Sequence, residues 1–124
     1  MLIDVRTEPE MEICSLPRSI NVPFEEIETK ASFEKISCAI NNLHDTESDN
    51  SKSTRGTNRV HLVFVCHRGN DSQIATKLIK RRLNDVFNTE NSTSETCIKE
   101  FIVQDVIGGL HAWAKRIDRN FPIY

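Results

Sequence analysis

The sequence is short of several things, and each shortage excludes a class of function. No apolar run approaches the roughly 20 residues that a membrane-spanning helix needs. The opening Met1-Leu2-Ile3-Asp4-Val5-Arg6 lacks the long apolar stretch of a secretory signal. There is no basic excess, since 16 Lys and Arg face 18 Asp and Glu for a formal net charge of -2. A general electrostatic binder of nucleic acid needs such an excess to displace counterions, so direct nucleic-acid binding is not expected, and neither is a membrane partner. No Cys-x-x-Cys pair is present, and no histidine stands at zinc-ligand spacing, so no metal site is expected. The four cysteines, Cys14, Cys38, Cys66 and Cys97, are widely spaced. Without a signal they read as reduced thiols of a cytoplasmic protein. A glycine-rich nucleotide loop and an internal repeat are also missing.

Hydrophobic residues are sparse, at 38% of 124, and unevenly spread. Residues 45–59, DTESDNSKSTRGTNR, hold no aliphatic or aromatic side chain. Such a segment buries too little apolar surface to offset its ordering entropy and is expected to be a flexible insertion. A shorter polar tract covers residues 88–96. Both tracts divide one domain, residues 1–124, into three compact blocks. That length suits a single domain able to bury a core.

In the first block Leu2-Ile3-Asp4-Val5 is a short strand signal, and Ser19-Ile20-Asn21-Val22-Pro23 is an extended stretch closed by proline. Phe24 to Leu43 follows with a helical pattern in which Phe33, Ile36, Ala39, Ile40 and Leu43 recur at spacings of three and four. In the second block Val60-His61-Leu62-Val63-Phe64-Val65 has the near-continuous apolar character of a buried parallel strand. From about Ser72 a helix is expected, with Ile74, Leu78, Ile79 and Leu83 inward and Lys80-Arg81-Arg82 largely on a solvated face. The third block predicts a strand at about Phe101–Val106. The Gly108-Gly109 break follows it, then a short helix with Leu110, Trp113, Ala114 and Ile117 on one face. Strands alternating with helices argue for an α/β fold with a mainly parallel central sheet flanked by helices.

The unit Val63-Phe64-Val65-Cys66-His67-Arg68-Gly69-Asn70-Asp71-Ser72-Gln73 carries the chemistry. Cys66 stands at the carboxyl end of a buried strand, where open α/β sheets place their sites. A turn containing Gly69 leads straight into a helix, so successive backbone N–H groups can form an anion cradle over the helix N-terminus. Both effects favour a thiolate over a thiol at Cys66, and His67 and Arg68 add positive potential. Asn70, Asp71 or Ser72 is expected to cap the helix. Spacing alone leaves a buried structural cysteine before a generic β–α turn as an equal reading.

The surrounding motifs break that tie. Leu2-Ile3-Asp4-Val5-Arg6, Leu16-Pro17-Arg18-Ser19-Ile20-Asn21-Val22-Pro23, Cys66-x-x-Gly69 and Gly108-Gly109-x-x-x-Trp113 occur in that order. The set resembles a rhodanese domain, whose active-site cysteine opens a six-residue loop. Cys66-x-x-Gly69-Asn70-Asp71-Ser72-Gln73, Asp105-Val106-x-Gly108-Gly109-Leu110-x-Ala112-Trp113-Ala114, Ile117-Asp118 and Phe121-Pro122-x-Tyr124 are most similar to one type of rhodanese-like domain. That type follows an adenylating domain in two-domain sulfurtransferases.

The resemblance implies a rhodanese-like fold with its active loop between a buried strand and a helix N-terminus. It implies a sulfurtransferase in which Cys66 carries a persulfide, with His67, Arg68, Gly69, Asn70, Asp71 and Ser72 as the substrate-binding loop. Asp4 and Arg6 match residues that support the scaffold beside it. A cysteine desulfurase is the implied persulfide donor. The implied acceptor is a ubiquitin-like sulfur-carrier protein with an adenylated C-terminus, which serves molybdopterin synthesis and tRNA thiolation. No cofactor is implied for this chain, because ATP and zinc belong to the separate activating domain. Rhodanese domains also carry a strand and helix before the first element recognised here, so this domain is expected to lack them.

Asp71 closes the loop, and an acid there repels a small dianion, so thiosulfate is expected to be a poor donor. Trp113 is expected to anchor the last helix in the core, and the Gly108-Gly109 backbone to break the chain or line the pocket mouth. Cys14, Cys38 and Cys97 read as packing or surface thiols; Cys14, in the loop after the first strand, is the one candidate for a resolving thiol. Two rivals stand beside sulfur transfer. A cysteine phosphatase of the Cys-x5-Arg type would need arginine where Ser72 stands, and Arg68 is too close to Cys66 to replace it. A non-catalytic rhodanese-like binding module would need no cysteine, and Cys66 is present.

Overall fold

The computed structural model describes residues 1–47, 59–89 and 100–124. Four parallel strands form one sheet: β1 (Leu2–Asp4), β2 (Ile20–Asn21), β3 (Arg59–Val65) and β4 (Glu100–Asp105), in the order β2-β1-β3-β4. Four α-helices join or follow them: α1 (Glu8–Ile13), α2 (Lys30–Glu47), α3 (Asn70–Thr89) and α4 (Gly109–Arg116). A 3₁₀ turn occupies Phe24–Glu26. This is the α/β architecture that the alternating strand and helix signals predict.

The strand order places the site. From β1 the chain moves outward to β2, and from β3 it moves outward to β4 in the opposite direction. The carboxyl ends of β1 and β3 therefore diverge at a topological switch point, where such sheets open a crevice. Register fixes the two ends side by side, with Asp4 opposite Val65. Val5 N–H then donates to Val65 O at 2.9 Å.

Period-two alternation divides the core between the two faces of the sheet. Ile3, Val5, Leu62, Phe64 and Cys66 join Ile36 and Ile40 of α2 and Ala75, Ile79 and Leu83 of α3 on one face. On the other face Val65 packs with Leu16 and Leu110, and Leu2, Val106, Trp113 and Phe121 cover them. Trp113 is thus a packing residue, as expected.

Several boundaries and faces differ from the sequence reading. Residues 45–47 continue α2 and Arg59 already belongs to β3; the remainder of the segment expected to be an insertion, residues 48–58, lies outside the described residues. Asn88 and Thr89 end α3, while the rest of the second polar tract, with Cys97, also lies outside them. The helix read from Phe24 is two pieces, because Phe24 opens a 3₁₀ turn and α2 starts at Lys30. Ile74 and Ile117, expected inward, are 48% and 66% exposed. Ala75 takes the buried place beside Ile79, and Ile117 lies past the last turn of α4. Of the basic run, Arg82 is spent on packing: it donates to Glu28 O at 2.8 Å and lies 4.6 Å over the Phe33 ring.

Helix α1 has no counterpart in the sequence reading. It buries none of its residues, so no apolar period announces it. Its signals are local: Pro9 in the first turn, and Thr7 three residues before Glu10. Glu10 closes back on Thr7, accepting from its N–H at 3.0 Å and from its hydroxyl at 2.9 Å.

Candidate active site at Cys66

Cys66 leaves the end of β3 and is 4% exposed. Its sulfur accepts from Gly69 N–H at 3.0 Å and from Ser72 N–H at 3.4 Å, and its thiol reaches Ser72 Oγ at 3.3 Å. The helix begins at Asn70, so the three residues expected to cap it lie inside its first turn. The sulfur itself takes the acceptor role, facing the Ser72 N–H that an N-terminal turn leaves without a helical partner. Donors within the turn and at the helix end converge on one atom, which is the arrangement that holds a sulfur anion.

Glycine makes this turn close. Gly69 has φ +96°, and a Cβ on it would stand 2.8 Å from Gly108 N. Gly109 has φ +61°, and a Cβ there would stand 2.6 Å from His67 O and closer still to Cys66 O. The start of α4 is thereby laid against the loop main chain. Leu110 N–H donates to Cys66 O at 2.9 Å and His111 N–H to His67 O at 3.0 Å. The Gly108-Gly109 break therefore supports the loop from behind and does not line the pocket mouth.

In front of Cys66 lies a cavity of about 510 Å³. Cys66, His67, Arg68, Asn70 and Asp71 line it on the loop side, and Val5, Arg6, Thr7, Glu8 and Glu10 on the side of β1 and α1; Pro23 to Glu26 close the third side. All seven residues expected in the loop are thus brought together, five of them lining the cavity and two, Gly69 and Ser72, holding the sulfur. The carboxylates of Glu8, Glu25 and Glu26 at the rim are not foreseen by the sequence reading. They are distant in sequence and converge only through the fold.

Asp4 and Arg6 form a buried ion pair with Nη2 to Oδ2 at 2.7 Å. Arg6 spends its other donors on the neighbouring chain: Nη2 reaches Cys14 O at 2.7 Å, and Nη1 reaches Glu10 O at 3.3 Å and Tyr124 Oη at 2.9 Å. Burial acts to lower its pKa, but the bond to Asp4 and the Tyr124 contact outweigh it and hold the guanidinium charged. Burial likewise pushes the Glu10 carboxyl up, and the bonds from Thr7 and Tyr124, with the Arg6 charge, turn the balance to below its usual range. Lys115, with burial and the nearby Arg68 and His67, lowers the His111 imidazole and favours its neutral form.

Cys14 is half-buried and Cys38 exposed, and neither joins the Cys66 contacts. Among the described residues no group of three His, Cys, Asp or Glu side chains could hold a metal ion, and no helix is long and apolar enough to cross a membrane.

Residues 1–116 match the family profile of the rhodanese-like domain. A curated relative, the adenylyltransferase and sulfurtransferase MOCS3 of Drosophila sechellia, is 38% identical over 124 residues, which is 100% of this chain and 21% of that protein. The chain thus spans about a fifth of that relative's length. Among solved structures, the crystal structure of a rhodanese-related protein from Thermoplasma volcanium aligns with a TM-score of 0.52 at 20% identity, covering 99% of this chain and 81% of that one. A protein of unknown function from Rhodopseudomonas palustris, described as a possible tyrosine phosphatase, aligns with a TM-score of 0.51 at 18% identity, covering 99% and 69%. These two likenesses concern the fold alone and do not separate sulfur chemistry from phosphate chemistry.

Proposed function

The chain belongs to the rhodanese-like domain family, and from that membership we propose that it is a sulfurtransferase carrying a persulfide on Cys66. The observation that supports this most is the convergence of Gly69 N–H, Ser72 N–H and Ser72 Oγ on one buried sulfur. The Cys66 thiolate attacks the outer sulfur of a donor persulfide. A Cys66 S–S bond forms, the donor S–S bond breaks, and the donor leaves as a thiolate. The outer sulfur now bears the charge, and the loop amides together with the partial positive charge of the α3 N-terminus stabilise it. This step needs no metal or organic cofactor, and ATP and zinc are expected only in a separate activating domain.

In this reading the donor is a cysteine desulfurase and the acceptor a ubiquitin-like sulfur-carrier protein, its C-terminal carboxyl activated as an acyl-adenylate. The persulfide attacks the acyl carbon and AMP leaves. A thiol reductant then cleaves the acyl disulfide, freeing the thiocarboxylate for molybdopterin synthesis and tRNA thiolation. The compartment is the cytoplasm. The naming of the Drosophila sechellia relative as an adenylyltransferase and sulfurtransferase supports sulfur transfer to an adenylated acceptor.

Phosphatase chemistry is disfavoured by the loop itself. Ser72, not arginine, occupies the sixth position after Cys66, and its side chain is buried against the sulfur. The test is intact-mass analysis after incubation with a desulfurase loaded with persulfide. A gain of one sulfur, abolished in Cys66→Ala, is expected. No adduct from either that donor or thiosulfate would favour a non-catalytic binding module.

A further inference from the structure

The last aromatic residue of the chain sits beside the first residue after the reacting cysteine. The ring of Tyr124 stacks on that of His67, with centroids 4.2 Å apart and planes 9° from parallel. Its hydroxyl accepts from Arg6 Nη1 at 2.9 Å and donates to Glu10 Oε1 at 3.1 Å. Both partners are themselves fixed, Arg6 by its buried pair with Asp4 and Glu10 by its two bonds from Thr7. The far end of the ring is therefore anchored, and the face presented to His67 is set. From the other side His67 is held by its carbonyl, which accepts from His111 N–H at 3.0 Å, and by the edge-on His111 ring at 6.3 Å.

We propose that Tyr124 is a positioning residue of the Cys66 loop, acting through His67 to keep the Gly69 and Ser72 N–H groups directed at the sulfur. The proposal rests on the reading of Cys66 as the reacting group. Tyr124 does not line the cavity. It fixes the orientation of His67, two residues before Gly69, and a loop that pivots at His67 swings the Gly69 N–H off the sulfur. Arg6, just beyond β1, and Glu10, on α1, are thereby linked to the loop through one ring. Tyr124 joins residues on two sides of the switch-point crevice without lining it.

Amide hydrogen exchange on the full chain tests this, because local opening is read residue by residue. Aromatic stacking of this kind stabilises by an amount equivalent to about three- to tenfold in an equilibrium constant. Tyr124→Ala should speed exchange of the Gly69 and Ser72 amides by that factor and leave Leu62 and Phe64 of β3 unchanged. Tyr124→Phe keeps the ring and should restore most of the protection. His67→Leu leaves the Arg6 and Glu10 contacts of Tyr124 in place and removes the stack from the other side. It should give the same local acceleration even where Tyr124→Ala fails to fold, and adding Tyr124→Ala to it should change nothing further at Gly69.

Unchanged exchange at Gly69 and Ser72 in His67→Leu would overturn the proposal. So would uniform acceleration of Leu62, Phe64, Gly69 and Ser72 in Tyr124→Ala, which marks a purely structural residue. None of these measurements requires sulfur transfer. A chain that loads no sulfur would sink the functional reading and leave the exchange result standing on its own.

Discussion

The two walls of the Cys66 cavity are made of different chemistry. The inner wall is main chain: the Gly69 and Ser72 amides on the sulfur, and behind them the start of α4 holding the Cys66 and His67 carbonyls. The outer wall is made of side chains and holds four acids, Glu8, Glu10, Glu25 and Glu26, among Val5, Arg6, Thr7, Pro23 and Phe24, while Asp71 adds a fifth acid from the loop side. Arg68 and His67 oppose these acids only in part, and Arg6 is committed to Asp4. One wall stabilises an anion on the sulfur, and the other repels an anion that approaches it. In the proposed reaction, such a pair of walls would favour a donor whose sulfur arrives bound to a larger molecule over a small free dianion. The difference teaches that affinity for the reacting atom and admission to the site are set by separate parts of the chain.

The largest effect should come from the support of the outer wall. Arg6→Ala leaves Asp4 buried without its partner and removes the bonds to Glu10 O, Cys14 O and Tyr124 Oη. Breaking a buried pair in this way costs about 3–5 kcal/mol, which urea denaturation would read directly. A loss under about 1 kcal/mol would place this pair among surface salt bridges and break the claim that it carries the wall.

The inner wall is next. Gly109→Ala forces a Cβ against the Cys66 and His67 carbonyls at φ +61°. A backbone strained in this way costs about 1–3 kcal/mol. Sulfur loading of the folded variant, followed by mass, should fall by more than the stability loss accounts for. Full loading in the variant would show that α4 does not hold the loop.

Admission is tested by reversing one charge at the rim. Asp71→Arg should raise turnover of thiosulfate by about tenfold at low ionic strength, with the gain shrinking as salt is added. An unchanged rate would remove charge from the account of the outer wall.

The smallest effect concerns pH. The Glu10 carboxyl is held below its ordinary value of 4.5 in the folded chain. Its contribution to stability is therefore present above that value and is lost as pH falls through the lower, folded one. Glu10→Gln should flatten the acid limb of a stability-against-pH curve measured by thermal unfolding. An identical acid limb would show that Glu10 is not part of the supporting network.

The two walls were unequally legible in the sequence. Every residue of the inner wall lies in a continuous stretch or a local motif. A buried strand signal ends at Cys66 and Gly69 marks the turn, and the ordered motifs around them brought this loop forward; Gly108-Gly109 was legible as a break, but its close approach to the loop shows only in the fold. The outer wall comes from three segments that only the parallel pairing of β1 with β3 and the 3₁₀ turn at Phe24–Glu26 bring together. Glu8, Glu25 and Glu26 look like ordinary solvated acids in sequence. Helix α1 escaped for a related reason: it has no buried face, and hydrophobic periodicity reports only buried faces. The Thr7-to-Glu10 spacing with Pro9 was its available signal. Tyr124 stood in the sequence only as part of the Phe121-Pro122-x-Tyr124 motif, which says nothing of a partner at residue 6.

That partner lies 118 positions away in the chain. A contact of such separation closes almost the largest loop the chain permits, and its entropy must be met before it stabilises anything. The turn at Cys66 forms from residues within six positions of one another, whereas the Tyr124 ring must return across the domain to meet Arg6 and His67. In folding, the amide cradle around the sulfur is therefore expected to close before its brace does.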